Sequence, residues 1–493
     1  MKEVRKPIAA KFSALALAVT CAAFVQPAQA AVSKALLDTL LKNGAITQKD
    51  YDDLIETIKD VEENQAFKEK RIDQDVAKAN AYLQKNAEAG TVMKNGIGLQ
   101  SADGRNSVQL IGRLHMDYRA YAPNYDASVA TPNDPTTDQF DFRRARLGVR
   151  GQFEKDWKFE IQGTYGQADN GMSESSTIID VASIDYVANP ALSYRFGKFK
   201  MPFSLEQLTS SNNIDFMERS MANQNEGEYV PAKETGAMIF GSPVTGTSYG
   251  LALSRGRVNK SSTTDSNDFI GRGTINAAKT FFDRDDWVTH LGYGYSEGKI
   301  APFSSSTVTP ANVSQSARDE SRMFNNFFVA TDAVLPGSHR TRSDIEYAVA
   351  YGPFKAQGEF FKIGYTTTGD IDRAVKINYN EILWNITGES HNYNNSTGAF
   401  GTIKPNAKFT DKGGIGAWQF GIRYTNFDAS DFNTAVGKTD QASAWTYGLN
   451  WYVNDYVRFM LNYVDTKFER PVGTGSAAVT GNRAVLLRTQ VSF

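Results

Sequence analysis

Four arginines fall within twelve residues in FRRARLGVRGQF, positions 142–153. Side chains of an extended chain alternate between two faces. Arg144, Arg146 and Arg150 therefore share a face with Gly148 and Gln152, while Ala145, Leu147, Val149, Gly151 and Phe153 share the other with Arg143. Guanidinium groups stay charged and hold oxyanions through paired, charge-assisted hydrogen bonds. A row of them at two- and four-residue spacing suits holding and relaying anions. The preceding stretch SVQLIGRLHMDYRAY (107–121) repeats the pattern, with Arg113, His115, Asp117 and Arg119 opposite Leu110, Leu114 and Met116. Arg423, Arg458 and Arg488 also fall on polar parities of alternating stretches. The plainer role for any one of these arginines is an ion pair, and Asp117, Glu160 and Glu359 are available for it.

Catalytic chemistry finds little support. The four histidines (His115, His290, His339, His391) have no metal-ligand spacing, and no Gly-x-Ser-x-Gly elbow is present. His115 and Asp117 read as a same-face hydrogen-bonded pair. No metal or cofactor is expected, and a barrel hydrolase is the weaker reading. A third class, an adhesin or structural tether, would use the N-terminal segment but has no need of an arginine row.

The elements that must position these residues belong to an exported chain. Lys2, Arg5, Lys6 and Lys11 precede the apolar run FSALALAVTCAAFV, and PAQA ends at Ala30, which reads as a signal peptide over 1–30. Cys21, the sole cysteine, lies inside it, so the mature chain has no disulfide. Removing four basic residues and one acid from totals of 53 and 55 leaves 49 against 54, a formal charge of −5. That excludes a globally basic nucleic-acid binder, and any anion preference must come from the placement of charge.

Residues 31–90 read as a helical, periplasmic arm. Two short helices are expected around Asn43-Gly44, with Thr47 as N-cap of the second. Ile72, Val76, Ala79 and Leu83 then step by 4, 3 and 4, a fragment of a coiled-coil seam. From Gly96 the period becomes two, as in KFEIQGTYG, TSYGLALSRG, SDIEYAVAYG, AWTYGLNWYVN and RAVLLRTQVSF. No apolar stretch is long enough for a spanning helix, whereas alternating segments of roughly ten residues suit tilted membrane strands. About 16 such strands are counted over 91–493. Short connections (154–157, 189–191, 242–246, 352–354, 453–456) alternate with long polar ones (121–138, 200–232, 298–340, 467–482). Residues 387–412 are long but fall on the short-turn side, with no role assigned. The fold expected is an all-β, antiparallel, up-and-down outer-membrane barrel.

Membrane cost fixes the expected orientation. An arginine facing lipid costs about 2–4 kcal/mol at the midplane and about 0–1 kcal/mol near the interface. Turning Arg144, Arg146 and Arg150 outward is therefore the expensive choice, and they are expected to line water. Arg143, on the opposite parity near the strand's start, is expected to face the headgroups.

Several blocks carry a family resemblance: FRRARLGVRGQFEKDWKFEIQ, LSYRFGKFKMPFSLEQLTSSNNIDFMERS, TGES…GAFGTIKP, YGLNWYVNDYVRFMLNYV and the terminal RTQVSF, spread over about 140–493. Together they resemble the phosphate-selective O/P-type porins of Gram-negative outer membranes. The resemblance implies a 16-stranded, homotrimeric barrel in outer-membrane lipid, forming a passive channel for phosphate-class anions, with inward loops and a lysine-lined narrow zone. Lys198 and Lys200 would supply that zone. Glu206 and Arg219, within the inward loop, would fix its shape by an intraloop salt bridge. This chain departs from the pattern at 221–234, where Glu226, Glu228 and Glu234 face only Lys233, and at 298–340, which is rich in Ser, Thr and Asn. A general small-solute porin is the alternative.

Overall fold

A computed structural model describes residues 38–44, 47–88, 91–92, 97–121, 138–165, 178–224, 227–255, 267–299, 316–323, 326–332, 338–367, 371–409, 412–475 and 478–493. The expected signal peptide and much of the loops 121–138 and 298–340 lie outside these residues.

The chain divides into two compact units, at Ala89/Gly90. In the first, residues 38–42 are helical and Gly44 turns the chain at φ 69°. Helix α1, Gln48–Glu88, then runs unbroken for 41 residues. Its start is a reciprocal cap: the Asp50 amide donates to Thr47 Oγ1 (3.3 Å) and the Thr47 amide donates to Asp50 Oδ2 (3.1 Å).

The second unit is built on sixteen strands: β1 Ser107–Tyr121, β2 Gln139–Phe153, β3 Trp157–Thr164, β4 Ile178–Asn189, β5 Leu192–Lys200, β6 Lys233–Gly241, β7 Thr247–Ser254, β8 Asp268–Asn276, β9 Trp287–Lys299, β10 His339–Tyr351, β11 Phe354–Thr367, β12 Ile371–Asn385, β13 Ala417–Asp428, β14 Gln441–Tyr452, β15 Val457–Val472 and β16 Val479–Ser492. Each pairs antiparallel with the next, and β16 pairs back onto β1 from Ala484↔Tyr121 to Ser492↔Arg113. Closure leaves no edge strand in the ring. It is sealed at the C-terminus, where Gly112 and Phe493 exchange backbone hydrogen bonds (3.0 and 3.1 Å). A Cβ on Gly112 would lie 2.4 Å from the Phe493 ring, so any larger residue there would push that ring aside.

Most outward side chains are apolar, and they carry rows of rings. Trp157–Tyr186, Trp287–Tyr351, Phe354–Trp384 and Trp418–Trp451 lie toward the short turns, while Tyr347–Phe360 and Tyr424–Trp445 lie higher on the wall, with Phe360, Tyr424 and Trp445 six residues above the turn-side rings. The turn-side girdle marks one membrane interface.

The structure differs from the sequence-based layout at three points. Arg143 points inward, because it is the extra residue of a bulge: His115 pairs with Arg144 and Met116 with Phe142. The last loop is short, 473–478, because β15 and β16 extend beyond the alternating cores of their sequences. The second arm helix, expected to be short, instead runs on through the seam residues as α1.

Candidate functional site

Three segments fill much of the barrel. The connection between β5 and β6, hereafter L3 (201–232), carries helix α2, Leu205–Leu208, capped by Ser204. Part of the β9–β10 loop (316–332) joins it from the same side. The β12–β13 turn (386–416) enters from the short-turn side, where the expectation placed it. Phe203, Met221 and Tyr229 of L3 pack with Phe327 and Phe328 against Phe361, Ile363, Ile377 and Phe427 of the wall. A water-filled barrel needs a polar inner face. Toward the loop ends of β11–β13 that face is apolar because these segments cover it.

Ion pairs hold L3 in place. The Glu218 carboxylate accepts from Arg143 Nε (2.7 Å), Arg119 Nη2 (3.1 Å) and Arg488 Nη2 (3.1 Å). Burial disfavours its charge, but Arg143, Arg322 and Arg488 hold the carboxyl well below the usual carboxylate range. Arg488 also pairs with Asp117 (2.6 Å), and Arg423 with Glu320 (2.6 Å) and Glu206 (3.3 Å). Arg458 donates to the Ile214 carbonyl (2.8 Å) and lies over the Tyr452 ring. Within L3, Glu206 accepts from the Ser220 amide and hydroxyl and from Asn223, and Arg219 donates to the carbonyls of Glu206 (3.0 Å) and Thr209 (2.9 Å). Both residues shape the loop, but through backbone and hydroxyl groups rather than the expected carboxylate–guanidinium pair.

What remains open is a cavity of about 1210 Å³ against the β1–β6 wall. It runs from a turn-side rim at Gln152, Lys158 and Asp455 to L3 at Ser210, Asn213 and Arg219. Arg113, Arg144, Arg146 and Arg150 all line it, with Lys200 at its inner end. Lys158, Arg195, Arg219, Lys233, Lys404 and Lys408 bring the basic side chains to eleven, against the four acids Glu160, Asp180, Asp185 and Asp455. The excess is seven positive charges in a chain that is net acidic.

The arginines are graded in exposure. Arg144 is buried, Arg146 half-buried and Arg150 exposed. Arg146 and Arg113 face each other in register. Arg113 Nη1 donates to Ser211 (2.8 Å), Arg146 Nε to Thr164 Oγ1 (3.1 Å) and Arg150 Nε to Gln109 (2.9 Å). Arg144 Nη1 is buried with no hydrogen-bond partner among the described residues. Asp180 bridges Arg146 (3.1 Å) and Lys233 (2.5 Å). Lys200 donates to the carbonyls of Gln207 (2.5 Å) and Thr209 (3.1 Å), which ties the wall to α2.

Five expected pathway residues stand elsewhere. Lys198 faces outward with Tyr194 and Phe196 and donates to the Ile179 carbonyl (2.9 Å). The Tyr194–Phe196 parity already implied this. Lys200 shares that parity but reaches the cavity because the chain bends into L3 at the strand's end. Arg119, Arg423, Arg458 and Arg488 lie inside the barrel, buried in the contacts that anchor the loops, and do not line the cavity. Sequence reasoning missed Asp180, Lys233, Arg195 and the turn lysines Lys404 and Lys408. Arg195 sits opposite Tyr194 and Phe196 in parity, a signal that could have found it.

Residues 108–493 match the family Phosphate-selective porin O and P. Porin O of Pseudomonas aeruginosa is 28% identical over 398 residues, covering 76% of this chain and 86% of that protein. An uncharacterized protein of Caulobacter vibrioides is 31% identical over 157 residues, 32% of this chain and 30% of its own. Among solved structures, an anion-selective porin from Comamonas acidovorans aligns over 79% of this chain and all of its own, at 13% identity and a TM-score of 0.46. With its match running from the first barrel strand to the terminal phenylalanine, the chain belongs to the phosphate-selective porin O and P family.

Proposed function

We propose that the barrel is a passive outer-membrane diffusion channel that favours anions and takes phosphate-class solutes. The observation that carries this reading is the cavity lining, eleven basic side chains against four acidic ones, with Arg144 Nη1 unsatisfied beside it. Anions are attracted by charge spread over several sites, so that no one site retains them. Arg113, Arg144, Arg146 and Lys200 form the path at the level of L3, with Arg150 nearer the turn-side rim. Arg219 lines it from L3, and Lys404 and Lys408 receive the solute at the turn-side rim. Zero-current potentials in a chloride gradient test the sign of selectivity, and phosphate titration of chloride current tests the solute class. Cation preference would defeat the reading.

The same reading makes 1–30 a cleaved signal, 31–90 a periplasmic arm separable from the barrel, and the assembly a homotrimer. A chain lacking 31–90 is expected to insert, to run as a folded species on unheated gels and to keep wild-type conductance. Failure to assemble would make the arm part of the folding unit.

A further inference from the structure

The outer wall changes character sharply above its loop-side aromatic row. Phe360 on β11 and Tyr424 and Trp445 on β13 and β14 face outward, with Phe360 near Tyr347 (6.4 Å between ring centroids) and Tyr424 near Trp445 (4.8 Å). Two residues beyond Phe360 stands Lys362, in register with Lys376 on β12. Both lysines are outward by parity and exposed. Neither forms an ion pair among the described residues. Asp428, in register with Lys376 on the far side, feels its charge at longer range. Asn378 and Asn426, also in register and outward, lie beside them and half-buried.

Like charges directly opposite on neighbouring strands repel. Outside the aromatic row there is also no water-filled lumen to dissipate them. An anion spanning the two ammonium groups would remove the conflict. The height is suitable, because Lys362 and Lys376 stand eight residues above the turn-side rings Phe354 and Trp384, about 20 Å of axial rise against an apolar band about 25 Å tall, within reach of the headgroups. Lysines at that height meet headgroups rather than acyl chains.

We propose that Lys362 and Lys376 form a lipid site on the outer wall, where a phosphate of the outer leaflet's phosphorylated glycolipid (lipid A) bridges both ammonium groups. Asn378 and Asn426 offer amides to its sugar hydroxyls. A carboxylate from a second copy is the competing occupant. The aromatic row beneath favours lipid.

The test uses the full chain purified from outer membranes as wild type, K362Q/K376Q and K362R/K376R. Native mass spectrometry counts retained lipid, and reconstitution compares bis-phosphoryl with dephosphorylated lipid A. Wild type and the arginine variant should bind bis-phosphoryl lipid A roughly tenfold or more above the glutamine variant, from the attraction of two basic residues near an anionic surface. Dephosphorylated lipid A should bind all three alike. Equal retention of bis-phosphoryl lipid A by wild type and K362Q/K376Q would overturn the proposal. So would loss of oligomer mass in that variant with lipid retained, which would assign the face to a second copy. Phosphate block of chloride current should be the same in all three, because neither lysine reaches the cavity, so failure here is separable from failure of the channel reading.

Discussion

Asp180 is the only acid among the described residues that bridges two basic side chains of the cavity wall, and its replacement by asparagine gives the sharpest test of the charge argument. The carboxylate lies 3.1 Å from Arg146 and 2.5 Å from Lys233. It occupies the position an oxyanion would take between them. Asp180→Asn removes one of four lining acids and raises the lining excess from seven to eight. A unit charge about 4 Å away is worth about 4 kcal/mol at an effective dielectric constant of about 20, and about 1 kcal/mol in bulk water. A narrow, wet cavity lies between these limits, so the repulsion removed is about 1–2 kcal/mol, or roughly 5- to 30-fold in affinity. In planar bilayers, phosphate should half-block chloride current at a concentration lower by that factor, and the zero-current potential should move toward stronger anion preference. An unheated-gel shift like that of wild type would show that the barrel is intact. Unchanged or weaker phosphate block in a correctly assembled Asp180→Asn channel would refute the idea that this carboxylate competes with the solute.

The other predictions probe the wall and its anchor. R146Q/R150Q, which lowers the lining excess from seven to five, should reduce the chloride-to-potassium permeability ratio with assembly unaffected, read from reversal potentials. Single cysteines at Arg150 and Leu147 should differ in labelling: a membrane-impermeant thiol reagent should reach the first, which faces the cavity, and not the second, which faces lipid. Glu218→Gln should leave Arg119, Arg143 and Arg488 with too little counter-charge and cost about 3–5 kcal/mol in L3 anchoring, seen as proteolysis within 201–232 and noisier current. Because the folded-state pKa of Glu218 is depressed, the anchor contributes fully above the unfolded carboxylate range and weakens only as pH falls through the lower folded value. Wild-type L3 should therefore stay protease-resistant at pH 4.

Parity made the barrel and the arginine row legible, because a closed sheet in lipid must put apolar side chains out wherever the alternation is regular. It predicted Arg113, Arg144, Arg146 and Arg150 at the cavity, and it failed wherever the two-residue period slips. Arg143 is the extra residue of one bulge, and Asp180 is the extra residue of another, since Gln162 pairs with Val181 and Gly163 with Ile179. Each slip delivers a charge to the interior that strict alternation would have sent toward lipid: Arg143 to clamp L3 through Glu218, Asp180 to bridge the cavity wall. The filled half of the barrel was hidden for a different reason. Phe360 faces lipid while Phe361 and Ile363 face L3, so GEFFKIGY (358–365) has no consistently polar side to read, and only the segments lying over it explain why apolar side chains stand on both faces. The same cause separates the arginines. Those on β1 and β2 next to the open cavity keep faces toward water, whereas Arg423, Arg458 and Arg488 have the same polar parity but lie under L3 and the 316–332 segment, where Arg423 and Arg488 pair with carboxylates and Arg458 donates to loop carbonyls. Strand alternation thus tells which arginines face inward, and where the inward loops lie decides which of those meet the solute.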